Sequence, residues 1–212
     1  MKKEAGIDKC VVFPFPQEPF PKKYKKANLK VASLKDPFIS FYWVNPYYFR
    51  KNEVKVFARK FDVKGFKLHP VFDGYYPTVE FLESIMRTST ELNIPVLFHS
   101  LWGEFGAVNG IEKVAESFPR AEILISHLVG YEGIDAARRH DNIYLDTSYA
   151  PHPRRIEFAV KTLGAKRIVF ASDFPYADPV INLKIIGRAE ISEKEKRLIL
   201  GENAMQLLKI KY

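Results

Sequence analysis

The feature that most constrains the fold is a series of seven short apolar runs separated by longer amphipathic segments. Most of the runs are continuously apolar rather than alternating, which is typical of parallel strands covered by helices on both faces. The runs are CVVFPF (10–15), FISFYWVNP (38–46), VKGFKLHP (63–70), IPVLFHS (94–100), EILISHL (122–128), NIYLDTS (142–148) and RIVFASD (167–173). This pattern predicts an α/β fold of repeated βα units with seven parallel strands.

The segments between the runs have helical periodicity. TVEFLESIMRTSTELN (78–93) and GIEKVAESF (110–118) each place their apolar residues on one face. Ser192 and Glu195 form an S-x-x-E capping box, and Asn203 is expected to cap a last helix. Because no repeat, low-complexity tract or linker divides the chain, residues 1–212 are expected to form a single barrel domain.

Composition limits the class of protein. A hydrophobic content of 47% in 212 residues supports one packed core. The single cysteine, Cys10, excludes an intramolecular disulfide and favours a reducing, cytoplasmic location. No run of eighteen uncharged apolar residues is present, so a membrane-spanning or exported protein is not expected.

The formal charge of +8 is concentrated near the N-terminus, where six lysines lie between positions 22 and 35. Such a run can attract nucleic acid, a membrane or an anionic substrate. Only Tyr24 interrupts it with an aromatic ring, so we interpret it as a solvated face rather than a nucleic-acid groove. The scarcity of glutamine beside abundant lysine and glutamate favours a thermophile.

Polar side chains stand at the ends of several predicted strands, where a barrel of βα units carries its functional residues. They are Lys67, His69, His99, His127, Asp146 and Asp173. Each alone could be a hydrogen-bonded rim residue or a turn cap. Together, imidazoles and carboxylates at one rim are the donors that a divalent ion requires. His140 and His152 fall at helix ends or in loops and are expected at the surface.

The sequence resembles the amidohydrolase-related (amidohydrolase 2) family of metal-dependent TIM-barrel enzymes over nearly its whole length. The matching motifs, in order, are AGIDKCVVFP, FYWVNP, GFKLHPVFDGYYP, IPVLFHS, ISHLVG, NIYLDTS, IVFASDFP and ILGENAMQLL. The resemblance implies a (β/α)8 TIM-barrel-like fold. It also implies an enzyme among decarboxylases, lactonases, hydratases and other hydrolases.

The resemblance implies roles for individual residues. His99, His127 and Asp173 match metal ligands, and His127 and Asp173 also match catalytic, proton-moving positions. The expected cofactor is a divalent metal, most simply zinc, with manganese as the alternative. Lys67 lies near a lysine that can bridge two metals in the wider superfamily. A structural ion pair with Asp146 or contact with a substrate carboxylate are its other interpretations.

Four residues are candidates for substrate binding. Lys67 and His69 could hold an anionic group, while Tyr75 and Trp102 lie in loops after strands and could wall a pocket. Packing is the alternative role of each aromatic residue.

One departure from the family concerns the first strand, which in family members ends in His-x-His. This chain contains no His-x-His, and its strands resemble strands two to eight of an incomplete barrel. Seven strands cannot close an eight-stranded barrel, so the edges at CVVFPF and RIVFASD are expected to expose unpaired backbone groups. An N-terminal extension beyond Met1 or a homodimer would cover them.

Three functions remain open. The favoured one is a metal-dependent hydrolase or decarboxylase acting on a small, carboxylate-bearing molecule. A TatD-like metal-dependent DNase is the second, supported only by the basic charge. The third is a non-catalytic or truncated barrel remnant that only binds, which the missing His-x-His favours.

Overall fold

In the part of the chain that the structure describes, seven parallel strands form one sheet in the order of the sequence. The computed structural model describes residues 2–15, 21–101 and 107–211. The strands are β1 (Cys10–Val12), β2 (Phe38–Trp43), β3 (Gly65–Leu68), β4 (Val96–Phe98), β5 (Ile123–Ile125), β6 (Ile143–Asp146) and β7 (Ile168–Val169). The predicted number, order and parallel direction of the strands are confirmed, and the sheet curls into an open, TIM-barrel-like half-barrel.

Helices connect the strands and cover the outer face of the sheet. They are α1 (Lys2–Ala5), α2 (Pro21–Ala32), α3 (Lys51–Lys60), α4 (Pro70–Asp73), α5 (Val79–Leu92), α6 (Val108–Ser117), α7 (Glu132–Arg139), α8 (Pro153–Leu163), α9 (Pro179–Gly187), α10 (Glu193–Arg197) and α11 (Asn203–Leu208). A π-helical turn, Leu198–Glu202, joins α10 to α11. Within the described ranges, no helix has the length and apolar character needed to cross a membrane.

The two faces of each strand enter different apolar clusters, because successive side chains point to opposite sides of a sheet. On the outer face, Phe66, Phe98 and Ile123 are fully buried against the helices. On the inner face, a second cluster holds Phe41, Leu97, Leu124 and Val169, with Leu207 and Leu208 of α11 packed against them. The interior of the curled sheet therefore has an apolar floor.

Helix α11 closes the end of the sheet at which the strands begin. The Nζ of Lys209 donates to the backbone oxygen of Asn93 at 2.8 Å and lies 3.2 Å from a carboxylate oxygen of Glu122. Both acceptors precede strands, β4 and β5 respectively. The carboxyl ends of the strands are left open on the opposite side, so a site there would stand above the apolar floor.

The outer edge of β7 is sealed by the chain itself. The backbone N–H of Phe170 donates to the carbonyl oxygen of Ile199 at 2.8 Å. The side-chain amide of Asn203 donates to the carbonyl oxygens of Ala165 and Ile168, each at 2.7 Å. The expectation that this edge exposes unpaired groups is therefore corrected, because the π-helical turn and Asn203 pair with it.

Two predictions about helix starts have different outcomes. Ser192 and Glu195 form the predicted capping box, with each side chain bonded to the other residue's backbone N–H. Asn203 does not cap the last helix, since Glu202 occupies the N-cap position and continues a helical backbone. The amide of Asn203 serves the edge of β7 instead.

Gly65 on β3 lies against the ring of Phe41, and we predict that Gly65→Ala destabilises the fold. A Cβ at position 65 would collide with ring atoms of Phe41 in the packed interior. Overpacking of this kind costs about 1–3 kcal/mol of unfolding free energy, measurable by chemical denaturation. Gly187→Ala is the matched control, because nothing lies within 4 Å of a Cβ there. Equal stability of the two variants would contradict the prediction.

Candidate active site

The structure brings the predicted strand-end residues together on the inner face of the curled sheet. Lys67 and Asp146 are buried, at 3% and 4% exposure, above the apolar floor. Nearer the rim, the rings of His69 and His99 stack with centres 3.8 Å apart, and His127 meets His99 edge to face. Asp173 is close enough for its charge to act on Lys67 and His127.

A direct imidazole pair forms the centre of the cluster. Nε2 of His127 lies 3.0 Å from Nδ1 of His99, and Nε2 of His99 lies 2.7 Å from the carbonyl oxygen of Leu101. A carbonyl can only accept, so Nε2 of His99 carries its proton and Nδ1 accepts the N–H of His127. The hydrogen bonds therefore determine the tautomers of both rings.

The imidazoles at the rim are neutral at physiological pH. Burial, with the charge of Lys67 as a further cause, lowers the pKa of His99 to about 2 and that of His69 to about 3. Burial also lowers the pKa of His127, against an opposing effect of Asp146. Neutral imidazole nitrogens can accept protons or bind metal ions.

His127 is linked to Asp146 through Ser148. Nδ1 of His127 lies 2.8 Å from the Ser148 hydroxyl, which lies 2.5 Å from Oδ1 of Asp146. The same Oδ1 accepts the backbone N–H groups of His127 and Ser148, at 3.1 and 2.9 Å. The hydroxyl has one hydrogen to donate to either neighbour. This chain of groups can therefore take up a proton at His127.

Several site residues have strained backbone conformations. His127, Tyr149 and Asp173 have φ angles of 75°, 55° and 57°, in the left-handed region that residues other than glycine rarely adopt. Such residues cost of order 1 kcal/mol each and cluster at functional sites. The sequence offers no signal for this strain.

Burial raises the pKa of Asp173, while His127 and Lys67 act in the opposite direction.

His99 and His127 offer two imidazole donors to a metal ion. Nδ1 of His99 and Nε2 of His127 share a proton at 3.0 Å in this structure, so a metal ion would have to replace that proton. A third donor is not in place, since the described parts of the chain contain no group of three or more His, Cys, Asp or Glu side chains arranged to hold a metal. The three-ligand set of His99, His127 and Asp173 stays a prediction.

An aromatic wall continues from the imidazoles across the inner face. The indole of Trp43 stacks on His69 at 5.5 Å between ring centres. Phe15 packs against Trp43 and Phe72, at 5.5 and 4.8 Å, and reaches Tyr176 at 6.3 Å. Phe15 and Tyr176 come from opposite edges of the sheet and are 47% and 66% exposed. The rim thus presents flat apolar surface beside the polar cluster.

A buried carboxylate anchors this wall, and the sequence did not reveal it. One oxygen of Asp73 accepts from the Tyr24 hydroxyl at 2.5 Å and from the Asn45 amide at 3.0 Å, and the other accepts from the Trp43 indole N–H at 3.2 Å. Burial raises the pKa of Asp73 to about 6, against these hydrogen bonds. The GFKLHPVFDGYYP motif contains Asp73, but its donors come from two other segments, α2 with Tyr24 and the end of β2 with Trp43 and Asn45.

We predict that Asp73 makes stability fall as the pH rises from about 4 to about 6. The folded state holds the proton more tightly than the unfolded chain, because the pKa is raised from 3.8 to about 6. Ionisation of Asp73 across that pH window therefore lowers the free energy of unfolding by on the order of 3 kcal/mol. Urea unfolding at several pH values should show wild type losing this stability relative to Asp73→Asn.

Asp62→Asn is the matched control for this pH effect. Asp62 is exposed and already has a left-handed φ of 51°, which asparagine tolerates. The stability difference between wild type and this variant should not change by a comparable amount between pH 4 and 7. If the stability difference between wild type and Asp73→Asn were also independent of pH, Asp73 would not retain its proton in the folded state.

The remaining candidates are not at the centre of the cluster. Tyr75 is 3% exposed and packs in the outer core beside Phe81, and no described residue hydrogen-bonds to its hydroxyl. Trp102 lies outside the described residues. His140 bonds to Glu112 on the outer layer, and His152 caps α8.

The chain is an open barrel of parallel βα units. Its imidazoles and carboxylates cluster at the carboxyl ends of the strands, which is where enzymes with this fold carry their active sites. The amidohydrolase family model matches residues 35–210. The chain therefore belongs to the amidohydrolase family, a family of metal-dependent enzymes. A search of curated proteins found no match.

Solved structures with the same fold include three decarboxylases. The 2,6-dihydroxybenzoate decarboxylase from Rhizobium has a TM-score of 0.80 and 15% identity, covering 98% of this chain and 86% of that one. The 5-carboxyvanillate decarboxylase from Sphingomonas paucimobilis has 0.81 and 15%, covering 99% and 81%. The dihydroxybenzoic acid decarboxylase from Polaromonas, solved with manganese and 2-nitroresorcinol, has 0.78 and 17%, covering 98% and 83%. At these identities the likeness concerns the fold.

Proposed function

We propose that this protein is a metal-dependent lyase that removes the carboxyl group of a small aromatic acid. The observation that carries the proposal is the position of the His99–His127 pair beside an exposed aromatic wall at the strand ends. The fold it shares with hydroxybenzoate and carboxyvanillate decarboxylases supports the reaction class.

His99 and His127 would hold the metal ion, with Asp173 as the predicted third donor. Manganese is the first ion to test because a decarboxylase with this fold contains it, and zinc is the second. When bound, the ion would polarise a substrate oxygen.

The chain's own residues would manage the proton. Decarboxylation releases carbon dioxide and requires one proton at the carbon atom that loses it. Asp173, whose pKa is raised by burial, is suited to deliver that proton. His127 would replace it through the Ser148–Asp146 chain of hydrogen bonds when its Nε2 is not bound to the metal. The aromatic wall would orient a flat ring and exclude water from one side.

A second candidate is a protein that binds small acids without turnover. It is favoured by the finding that the described residues contain no three-donor metal group. Hydrolysis of a lactone or amide is the other reaction within the family. Both are outcomes of the same experiment.

The test is a turnover assay on purified protein reconstituted with manganese or zinc. Metal content is measured by mass spectrometry, and carbon dioxide release is measured with 2,6-dihydroxybenzoate and 5-carboxyvanillate. A lactone, an amide and linear DNA complete the panel. We expect near-stoichiometric metal and decarboxylation, both lost in His99→Ala and retained in His140→Gln, whose imidazole lies on the outer layer. Background metal with no turnover would reject the proposal in favour of binding alone.

A further inference from the structure

Lys67 carries a buried positive charge for which the described part of the chain supplies no counterion. The residue is 3% exposed. Among the described residues, no carboxylate forms an ion pair with its Nζ and no oxygen accepts a hydrogen bond from it. Its Nζ instead lies 5.2 Å from the centre of the Phe13 ring. A cation–π contact at this distance offsets only part of the cost of burying an ammonium group.

The nearby acids do not neutralise Lys67. Asp146 and Asp173 attract it at longer range. Oδ1 of Asp146 is already bonded to the backbone N–H of His127 and to the N–H and hydroxyl of Ser148. Burial therefore dominates and lowers the pKa of Lys67 to about 8, which leaves it mostly charged at neutral pH.

The Lys67 side chain points into the space above the apolar floor. It lies on the same face of β3 as Gly65, where a Cβ would meet the ring of Phe41. His69, two residues further along, accepts the backbone N–H of Phe72 on Nδ1. Its neutral ring therefore carries a proton on Nε2, for which no acceptor is present among the described residues. A molecule entering from the rim meets two unused donors, one on β3 and one directly after it.

We propose that Lys67 is the anion-recognition group of this site, taking the carboxylate of a small acid as its counterion while His69 donates Nε2–H to the same carboxylate. The inference rests on the proposed function and deepens it, because it names the groups that hold the substrate's acid. It requires no bound metal. An uncompensated buried charge reduces stability, and proteins retain such groups where a ligand uses them.

The test measures anion binding by metal-free protein in the presence of a chelator. Acetate and benzoate are titrated by calorimetry and thermal shift, with acetamide and benzamide as neutral probes of the same shape. We expect the acids, but not the amides, to bind wild type. Lys67→Met should weaken binding at least tenfold, and Lys67→Arg should retain part of it. Lys64→Met should not change it, because Lys64 lies just before β3 and pairs with exposed Asp62.

The stability of the free variant separates recognition from a structural role. Lys67→Met removes an uncompensated charge, so its midpoint of thermal unfolding should rise by roughly 2–8 °C. A structural ion pair would instead make the variant less stable. Equal binding of acids and amides by wild type, or undiminished acid binding by Lys67→Met, would overturn the proposal. Anion binding and thermal unfolding are both measured without turnover. Failure of this proposal can therefore be distinguished from failure of the proposed reaction.

Discussion

Replacing His127 with glutamine should lower turnover by about a hundredfold or more, with little change in stability. The glutamine amide can still donate to Nδ1 of His99, as Nε2 of His127 does at 3.0 Å. It can neither offer an imidazole nitrogen to the metal nor accept and release a proton through Ser148, so both proposed roles of His127 are lost. The measurement is kcat and KM for the substrate found in the reconstitution assay, with metal content determined in parallel.

Two further variants sharpen this prediction. Ser148→Ala removes the group between His127 and Asp146 but leaves both imidazoles, so we expect a smaller loss, about tenfold. His152→Asn is the matched control, because His152 accepts a backbone N–H at the start of α8 and asparagine is a good N-cap. Full activity of His127→Gln with normal metal content would show that His127 moves no proton.

Trp43→Ala should reduce the free energy of unfolding by about 3–5 kcal/mol, the largest stability loss that we predict for this chain. Trp43 is 1% exposed, and its indole packs between Phe15 and His69. Truncation would leave a cavity and remove a donor to Asp73. Denaturant unfolding monitored by circular dichroism gives the change directly.

The effect of Trp43 on the site can be separated from its effect on the fold. Trp43→Phe keeps an aromatic ring against His69 but loses the N–H bond to Asp73, so an intermediate loss of stability is expected. Tyr176→Ala is the control, because Tyr176 is 66% exposed and should change stability by less than about 0.5 kcal/mol. A loss for Trp43→Ala no larger than for Tyr176→Ala would mean that the wall contributes little to stability.

Much of the fold could be predicted because its signals are local. Every strand lies within a predicted apolar run, and the capping box at Ser192 forms as expected. The rule that functional residues lie at strand ends also predicts that Lys67, His99 and His127 share one face. These successes depend on hydrophobic periodicity and on the geometry of parallel βα units, which act over a few residues.

The features that the sequence does not predict depend on contacts between distant parts of the chain. Asn203 was expected to cap a helix, but its amide bonds to the carbonyls of Ala165 and Ile168, more than thirty residues away. The anchoring of Trp43 by Asp73 and the burial of Tyr75 in the outer core likewise depend on which segments become neighbours. No local pattern encodes such partners.

The sequence by itself determined the order of strands and helices, the family and the set of polar residues at the strand ends. Tertiary structure alone decided that His99 and His127 bond to each other, that the edge of β7 is paired, and that Lys67 is buried with no counterion among the described residues. The reason is physical. Hydrophobic period and capping are properties of adjacent residues, whereas hydrogen-bond partners and desolvation depend on how the whole sheet curls and which side chains then share its interior.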